Sequence, residues 1–386
     1  MNQTVTEQVA RLYNDEPLTD FASISPATRL EGLNLNWKER DLPERSRTKH
    51  VHRLHPYMGK FIPQLVEIFL RKYEPQLVYD PFVGSGTTLV EAKSLGIDSI
   101  GTDVSEFNVL LSRVKTANYN IDSLEKEIYQ ILSELKEFNK QPEIQNDYVN
   151  KWFSPRAAAE LSFFLSRVSS YKNQDVLKII ASRSARSARL VTHFDLDFPK
   201  QPQDGEYYCH KHRRTCRPVE EAYKFLYRYS LDTLKRLREF SDLNNDAKVV
   251  LNHADSRSVK LPKDIDFVFT SPPYVGLIDY HDQHRYAYEL LGLTDKEIDE
   301  IGPAKKGQSH TAKRAYSAGI NDVFLHTRDH MSQKGIMAIV VNDKYNLYDP
   351  SRVGFRQIER LERHVNRRTG RRSGAFYESI LIWQKI

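Results

Sequence analysis

The sequence is poor in cysteine and contains no long apolar run. Only two cysteines, Cys209 and Cys216, occur among 386 residues. They are too few for a disulfide framework, which favours a reducing cytoplasm. No stretch of about 18 apolar residues is present, so no membrane-spanning helix is expected. The first residues lack a basic segment followed by an apolar one, so no secretory signal is expected either.

Charge is in slight excess and is unevenly distributed. The net charge is +6 and the pI is near 9.0. Residues 351–386 carry nine Lys and Arg against three Asp and Glu, and residues 181–240 carry thirteen against eight. Two basic segments on a nearly neutral chain favour a polyanion bound at particular places. A solvated surface is the alternative explanation of the charge alone.

The order of predicted elements indicates a parallel sheet covered by helices. The pattern predicts a helix from near Phe61 to Tyr73, a strand at Gln76–Asp80, a helix at Thr87–Leu95, a strand at Ser99–Asp103 and a helix at Glu106–Ala117. Pro63 suits the first turn of the first helix, and Gly96 ends the second. This alternation is typical of parallel strands joined by right-handed crossovers.

A mainly helical stretch, from about Ile121 to Phe240, interrupts the strand pattern. Strands are predicted again at Lys248–Asn252, Ile265–Thr270, Gly335–Val341 and Phe376–Gln384. The predicted fold class is therefore α/β, a doubly wound and mostly parallel seven-stranded sheet with a mostly helical insertion. The predicted divisions are an N-terminal arm at 1–50, a main domain at 51–120 and 246–386, and the insertion at 121–245.

A glycine-rich corner follows the first predicted strand. Residues 80–88 read Asp-Pro-Phe-Val-Gly-Ser-Gly-Thr-Thr, so Gly84 and Gly86 lie between a strand end and a helix start. Glycines there let a ligand approach the backbone, whose N–H groups favour a carboxylate or phosphate. Asp80 offers a negative charge suited to an ammonium. Asp103, at the end of the second strand, can bind ribose hydroxyls.

These features together indicate S-adenosylmethionine, which has a carboxylate, an ammonium and a ribose but no phosphate. A P-loop is excluded because no G-x-x-x-x-G-K-[ST] sequence occurs. A dinucleotide site is disfavoured because Leu89 stands where G-x-G-x-x-G requires its third glycine. A plain tight turn is the structural alternative.

The tetrapeptide Ser271-Pro272-Pro273-Tyr274 directly follows an apolar strand. Two prolines fix two φ angles and remove two backbone donors, so the loop presents carbonyl acceptors. Ser271 adds a hydroxyl and Tyr274 adds a ring face. A rigid, acceptor-rich loop beside an aromatic ring suits a flat heterocycle with an exocyclic amino group, such as cytosine or adenine. An ordinary proline turn is the alternative.

Together the two motifs resemble the amino-methyltransferases of DNA, specifically the cytosine-N4 branch. The stretch from His55 to Pro63 resembles that family's additional cofactor motif, and Asp255 lies where the family contacts the cofactor's adenine. The resemblance covers residues 50–120 and 245–386, and it implies a Rossmann-like class I methyltransferase fold. It places target recognition in the insertion, because that segment lies between the cofactor motif and the catalytic motif.

The resemblance implies a set of site residues. The catalytic residues would be Ser271, Pro272, Pro273 and Tyr274. The residues binding S-adenosylmethionine would be Lys60, Phe61, Pro63, Asp80, Pro81, Phe82, Gly84, Gly86, Thr87, Asp103, Asp255 and Ser256. The target amino group is inaccessible inside a duplex, so the base would flip out of double-stranded DNA. Neither cysteine lies in a Pro-Cys pair, which argues against methylation at carbon 5.

Several alternatives stay open at this point. Family members with Ser at position 271 mostly methylate cytosine and those with Asp mostly adenine, so cytosine N4 is favoured. An adenine-N6 DNA methyltransferase, an RNA amino-methyltransferase and a non-catalytic DNA-binding regulator are the other interpretations. The family also implies a prokaryotic, nucleoid-associated monomer or dimer, paired with a restriction endonuclease that acts on the same sequence.

Arginines in both basic segments are candidates for contact with DNA phosphates. Arg183, Arg186 and Arg189 recur at a spacing of three, which places them on one side of a helix with serines nearby. Further candidates are Arg213, Arg214, Arg371 and Arg372. A solvated helix face is the alternative for the first group.

The run Cys209-His210-Lys211-His212-Arg213-Arg214-Thr215-Cys216 raises the question of zinc. The sequence has no C-x-x-C pair, and all four candidate ligands fall within eight residues. In an extended strand, His210 and His212 would also face away from Cys209. No metal is therefore expected, and a basic loop with packed or solvated side chains is favoured.

Overall fold

A seven-stranded sheet forms the centre of the fold. The computed structural model describes residues 17–140, 143–193, 195–196, 199–243, 245–365 and 376–386. The strands are β1 (Leu77–Asp80), β2 (Asp98–Asp103), β3 (Tyr207–Cys209), β4 (Arg214–Cys216), β5 (Val249–His253), β6 (Ile265–Thr270), β7 (Met331–Val341), β8 (Phe355–Val365) and β9 (Phe376–Lys385). Strands β3 and β4 form a separate antiparallel hairpin.

The order of the main sheet is β5-β2-β1-β6-β7-β9-β8. Neighbouring strands are parallel except at β9, which runs antiparallel to both β7 and β8. The chain proceeds outward from β1 to β2 and β5, then returns to β6 on the other side of β1. This reversal between β1 and β6 is the position where doubly wound sheets bind ligands. The predicted fold class is confirmed.

Helices cover both faces of the sheet. They are α1 (Glu44–Arg47), α2 (Pro63–Tyr73), α3 (Thr87–Ser94), α4 (Glu106–Thr116), α5 (Ile121–Glu137), α6 (Asp147–Trp152), α7 (Pro155–Val168), α8 (Gln174–Ala188), α9 (Tyr223–Ser241), α10 (Tyr280–Gln283), α11 (Arg285–Leu291) and α12 (His310–His330). None of these described helices combines the length and the apolar character that a membrane crossing requires.

The local signals explain where the helices next to the sheet begin and end. Pro63 occupies the first turn of α2, where its missing N–H costs nothing. Gly86 precedes α3 with a φ of 78°, and Ser105 caps α4 by accepting a hydrogen bond from the Asn108 N–H. The predicted boundaries of these three helices agree with the structure within about two residues at each end.

Strand β8 is the main element that the sequence pattern did not locate. It lies at the sheet edge and, among the described strands, pairs only with β9. Five of its eleven residues are Arg or Glu, so its apolar alternation is weak. Charged side chains are a common feature of edge strands because they discourage pairing with another chain. The charged residues that suit a sheet edge therefore concealed the apolar alternation by which a strand is recognised in sequence.

The helical stretch α5–α9 packs against α4, which in turn covers the sheet. Phe107 and Leu111 of α4 belong to the same buried cluster as Ile128, Leu161 and Ile180 of the helical stretch. A second buried cluster joins the described part of the N-terminal arm, including Leu35 and Trp37, to α2 and the sheet. The division into arm, main domain and recognition insertion stays a prediction.

Candidate active site

A cleft lies at the carboxyl ends of β1, β2 and β6, where the strand order reverses. It holds about 830 Å³ of empty space, part of it open to solvent. We call it the strand-end cleft. Eleven residues of the predicted site line it: Lys60, Phe61, Pro81, Phe82, Gly84, Thr87, Asp103, Asp255, Ser256, Ser271 and Pro273. The glycine corner and the proline loop, about 185 residues apart in sequence, thus border one cavity.

Five predicted site residues are not part of the cleft wall: Pro63, Asp80, Gly86, Pro272 and Tyr274. Pro63 is buried in the first turn of α2, and Pro272 is buried just after the end of β6. The other three have contacts that explain their placement, and each is described below.

Asp80 is buried inside the corner and does not face the cleft. Its carboxylate accepts hydrogen bonds from the Thr88 hydroxyl and the Thr270 hydroxyl, each at 2.7 Å, and from the Phe82 N–H at 3.1 Å. Burial raises its pKa to about 6, against the lowering effect of these three donors. The expectation that Asp80 holds a ligand ammonium is therefore corrected. Asp80 joins the ends of β1 and β6 and the start of α3.

The two glycines of the corner have different neighbours. A Cβ on Gly84 would lie 2.9 Å from the Tyr57 hydroxyl, at the cleft wall. A Cβ on Gly86 would lie 2.7 Å from the Ser112 Oγ and 3.2 Å from the Ser112 Cα, on the side of α4. Both glycines have positive φ, 48° and 78°. Gly84 therefore leaves room at the cleft, whereas Gly86 lets α4 approach the corner.

Asp103 ends β2 and lies in the cleft wall. Its carboxylate accepts hydrogen bonds from the Gly84 N–H and the Ser105 N–H, both at 2.9 Å, and from the Asn108 amide at 3.2 Å. Burial raises its pKa, although these donors counteract the shift. A carboxylate has about four acceptor positions, so one remains for a ligand hydroxyl.

The proline loop is held from behind by the last two strands. The Tyr274 hydroxyl donates to Glu378 Oε1 at 3.4 Å, and the Arg363 guanidinium lies 3.6 Å from Glu378 Oε2. Burial, followed by the Glu378 charge, raises the pKa of Tyr274 well above its usual value, and a hydrogen bond with Ser271 partly offsets this. Strands β8 and β9 thus orient Tyr274, which in turn contacts Ser271.

Lys60 lies in the cleft wall on the segment before α2. Its ammonium donates to the His52 carbonyl at 2.9 Å. Burial lowers its pKa to about 8, because removing the cation from water disfavours the charged form. A ligand carboxylate beside Lys60 would reverse that shift.

Asp255 also faces the cleft, but its carboxylate is already paired. The Arg257 guanidinium donates to both carboxylate oxygens, at distances between 2.5 and 2.9 Å. Burial alone would raise the pKa of Asp255, and the hydrogen bonds from Arg257 lower it overall. The pair holds the residue at the cleft margin, beside Ser256.

Twelve lining residues were not among the predicted site residues, and four of them carry polar side chains that matter below: Tyr57, Asn108, Tyr280 and Glu300. The Tyr57 ring stacks on Tyr280, with ring centres 6.0 Å apart, and its hydroxyl accepts from the Asn108 amide at 3.2 Å. Tyr57 lies within the His55–Pro63 motif, which could have identified it. The others come from segments with no recognisable motif.

Glu300 reaches the cleft from a loop after α11 and is supported by buried His281. The backbone N–H of His281 donates to Glu300 Oε1 at 2.9 Å, and the ring Nδ1 of His281 contacts the same oxygen. His281 Nε2 accepts from the Lys296 N–H at 3.3 Å, so a neutral ring carries its proton on Nδ1 and donates it to Glu300. Glu300 Oε2 is buried without a partner among the described residues.

The basic helix does not present all its arginines to solvent. Arg183 is buried and donates to Asp232 at 2.7 Å, with its guanidinium 4.2 Å from the Tyr229 ring centre. Arg189 is buried and donates to the Leu196 carbonyl at 2.6 Å. The expectation that these two contact DNA is corrected, because their charges stabilise packing within the insertion. Arg186 is half-buried.

The remaining DNA candidates divide into two groups. Arg213 and Arg214 are exposed on the β3–β4 hairpin, so their contact with DNA stays a prediction. Arg371 and Arg372 lie outside the described residues.

The hairpin also corrects the argument against a metal. His210 is exposed and takes no part in the cluster, whereas His193 approaches Cys209, His212 and Cys216. The reason for expecting no metal, that all candidate ligands fall within eight residues, therefore no longer applies.

The sheet order, the position of the cleft and the residues in its wall define an S-adenosylmethionine-dependent methyltransferase of class I. Residues 31–113 match the family described as DNA methylase. The type II methyltransferase M.MjaII of Methanocaldococcus jannaschii is 36% identical, over 90% of this chain and 83% of that protein. The chain therefore belongs to the N6/N4 family of type II DNA methyltransferases.

Other relatives are more distant. The type II methyltransferase M.MvaI of Kocuria varians is 26% identical, over 58% of this chain and 53% of that protein. Among solved structures, the rRNA methyltransferase aviRa of Streptomyces viridochromogenes is 13% identical with a TM-score of 0.37, covering 88% of this chain and 92% of that one. This structural similarity is too low to support the fold assignment, which depends instead on the strand order of the sheet.

S-adenosylmethionine is the cofactor, and the cleft fits it. Three lining residues carry a buried side-chain oxygen without a hydrogen-bond partner in the described part of the chain: Ser85 Oγ, Asn108 Oδ1 and Glu300 Oε2. Buried polar atoms are seldom left unpaired. All three residues line one cavity, and this fits a cleft that binds a polar ligand.

Proposed function

We propose that this protein methylates the exocyclic N4 of a flipped cytosine in double-stranded DNA, within a short recognition sequence. One observation carries the proposal: Ser271 and Pro273 border the same cavity as Gly84 and Asp103. The base-binding loop and the cofactor corner therefore face a shared space. A restriction–modification setting in a prokaryotic cytoplasm, at the nucleoid, with a matching endonuclease, is part of the same proposal.

The wall residues suggest how the cofactor is held. Asp103 has an acceptor position for a ribose hydroxyl, and Lys60 offers a cation for a carboxylate. Glu300 takes the role first expected of Asp80, because it lines the cavity and its Oε2 is a buried acceptor without a partner among the described residues. When bound, S-adenosylmethionine supplies a methyl group on a positively charged sulfur.

The proline loop acts on the other reactant. The amino lone pair of cytosine is delocalised into the ring, which makes the nitrogen a poor nucleophile. Ser271 Oγ and the Pro272 carbonyl would accept hydrogen bonds from the two amino N–H groups and draw the lone pair back to nitrogen. Tyr274, held by Glu378, limits the motion of Ser271. Alignment of this kind can lower a barrier by roughly 7–11 kcal/mol.

The choice of cytosine rests on the family resemblance, in which Ser at position 271 mostly accompanies cytosine and Asp mostly accompanies adenine. A hydroxyl can donate as well as accept, so Ser271 can also face the ring nitrogen next to the amino group, whereas a carboxylate could only accept.

The test is to incubate the purified protein with unmethylated plasmid DNA and labelled S-adenosylmethionine, then hydrolyse the DNA and identify the product by mass spectrometry. N4-methylcytosine is expected. N6-methyladenine alone would overturn the choice of base, and methyl groups found on RNA but not DNA would overturn the substrate.

A variant links the product to the proposed site. Ser271→Ala is expected to lower kcat by about 100-fold or more, in the range of a lost transition-state hydrogen bond, with an unchanged Kd for S-adenosylmethionine. Ser258→Ala is the matched control, because Ser258 is exposed and lies outside the cleft wall. Equal activity of the two variants would exclude Ser271 from catalysis.

A further inference from the structure

The β3–β4 hairpin brings two cysteines and two histidines to one point. Cys209 ends β3, Cys216 ends β4, and His212 lies in the turn between them. His193 comes from a segment 16 residues before Cys209. Both cysteines are buried, while the tip of the hairpin is exposed.

Local backbone geometry explains why His212 joins the cluster. The turn is closed by hydrogen bonds from the His212 N–H and the Arg213 N–H to the Cys209 carbonyl, at 3.2 and 2.7 Å. Arg213 takes a positive φ of 53°. The chain therefore reverses at once, and His212 returns towards Cys209 as the second half of a C-x-x-H pair. An extended strand would have separated them.

The distances match a tetrahedral metal site. His212 Nδ1 lies 3.6 Å from Cys209 Sγ and 3.5 Å from Cys216 Sγ, and His193 Nδ1 lies 3.6 Å from Cys209 Sγ. All four donor atoms lie within 4.8 Å of one another. With metal distances of about 2.3 Å to sulfur and about 2.0–2.1 Å to nitrogen, a tetrahedron has sulfur–nitrogen edges of about 3.5–3.6 Å.

A disulfide does not explain the pairing. Cys209 lies opposite Arg214 and Cys216 lies opposite Tyr207, so the two cysteines are diagonal neighbours on one face of the hairpin. Diagonal positions are about 7–8 Å apart, beyond the reach of an unstrained disulfide. A shared metal ion spans such a gap because each sulfur needs to reach only the centre of the cluster.

The Tyr207 hydroxyl fixes the position of His193 next to the cysteines. The Tyr207 hydroxyl accepts from the His193 N–H at 3.1 Å and contacts His193 Nδ1 at 2.8 Å. It therefore holds the imidazole beside Cys209. A bound metal would take the Nδ1 lone pair, and the Tyr207 hydroxyl would keep its bond to the backbone N–H.

The hairpin itself needs such a contribution. Each strand has three residues, and an isolated two-stranded hairpin is marginally stable in water. A structural zinc site stabilises a segment of this kind directly, since binding free energy becomes folding free energy.

We propose that His193, Cys209, His212 and Cys216 form a closed, structural zinc site. Two thiolates and two imidazoles form a ligand set that binds zinc in preference to magnesium or calcium. Four protein ligands leave no open position, so the site would stabilise the hairpin rather than catalyse a reaction. It would fix the exposed turn that carries Arg213 and Arg214. The assignment does not depend on the proposed methylation of cytosine.

The test measures metal in the full chain, produced with added zinc and purified under reducing conditions without chelator. About one zinc per chain is expected by elemental mass spectrometry. Cys209→Ser, Cys216→Ser, His193→Ala and His212→Ala should each lower the zinc content by about tenfold or more. Cobalt bound instead of zinc should give the intense visible absorption of tetrahedral coordination.

A matched control lies in the same hairpin. His210→Ala removes an exposed histidine next to Cys209. This variant should keep a full complement of zinc. Equal loss of zinc from His210→Ala and His193→Ala would overturn the assignment of ligands.

Two results on the unaltered chain would overturn the site itself. One is failure of the metal-free protein to bind added zinc in competition with a chromogenic chelator. The other is a Cys209–Cys216 disulfide found by peptide mass spectrometry. These measurements decide the question even where a cysteine variant does not fold, and binding of S-adenosylmethionine by each soluble variant reports separately on the cleft.

Discussion

The cofactor site has two layers that differ in their contacts, although the two aspartates and the two glycines involved look alike in sequence. The inner layer, Asp80 and Gly86, faces the protein. The cleft wall, represented by Lys60, Gly84, Asp103 and Glu300, faces the cavity. Both layers are needed, because the inner layer fixes the ends of β1 and β6, and these strand ends position the residues of the cleft wall. The comparison shows that a short motif predicts where the binding site lies. Whether a given motif residue contacts the ligand depends on whether its side chain faces the cavity or the protein interior.

Gly86→Ala is the strongest test of the inner layer. The added Cβ would clash with Ser112, and the φ of 78° disfavours any side chain. The free energy of unfolding should fall by about 2–4 kcal/mol, measured by urea denaturation.

Gly205→Ala is the control for that variant, because nothing lies within 4 Å of the new Cβ. It should change stability by less than about 0.5 kcal/mol. Comparable stability of the two variants would show that α4 does not need Gly86.

Asp80→Asn tests whether this carboxylate is structural. The amide would face two hydroxyl donors with fewer acceptor positions, so the free energy of unfolding should fall by about 1–3 kcal/mol. The Kd of folded protein for S-adenosylmethionine should stay within about threefold, as measured by calorimetry. A large rise in Kd with unchanged stability would return Asp80 to the cleft wall.

The same variant has a pH signature. The folded-state pKa of Asp80, about 6, lies above the 3.8 of an unperturbed aspartate, so the native state holds the proton more tightly. The wild type should therefore lose about 1 kcal/mol of stability from this group between pH 5 and pH 7. Asp80→Asn lacks the group, so its deficit should be smaller at pH 7 than at pH 5.

Glu300→Gln tests the cleft wall in the opposite direction. Glutamine keeps an oxygen for His281 but removes the charge and the free Oε2. The Kd for S-adenosylmethionine should rise by about tenfold, the size of a charge-assisted hydrogen bond. Urea denaturation should show a change below about 1 kcal/mol, and an unaltered Kd would mean that Glu300 does not contact the ligand.

Lys60→Met sharpens the same comparison through pH. Burial lowers the pKa of Lys60 to about 8, so the free protein loses this cation above that pH, whereas a bound carboxylate would retain it. The wild-type Kd should therefore rise by up to about tenfold between pH 7.5 and pH 9.

The ligand's own ammonium also titrates in this range, at about 7.7–8.0 for an ordinary α-amino group. Lys60→Met corrects for this titration of the ligand. The variant should bind S-adenosylmethionine more weakly than the wild type at pH 7.5, and the pH dependence of its Kd should reflect the ligand alone. Parallel pH profiles for the two proteins would exclude Lys60 from carboxylate binding.

Most of the fold could be predicted because its signals are local. Gly86 at a helix start, Pro63 in a first turn and the apolar run of β6 each determine a nearby element. Strand β8 could not be located, because its charged residues suit a sheet edge and conceal its alternation. Glu300 was also missed, since only the packing of His281 brings that loop to the cleft.

The proposed zinc cluster shows the same limit more clearly. The C-x-x-H pair is visible in the sequence, but His193 has no marker that distinguishes it from His210. Its place in the cluster depends on the path of the chain between α8 and β3.

The sequence by itself determined the doubly wound sheet, the glycine corner and the proline loop, because hydrophobic periodicity and backbone restrictions act over a few residues. Only the tertiary structure decided which members of those motifs face the cavity and which distant side chains join them. Burial, hydrogen-bond pairing and close packing depend on segments far apart in the chain, and no local pattern encodes them.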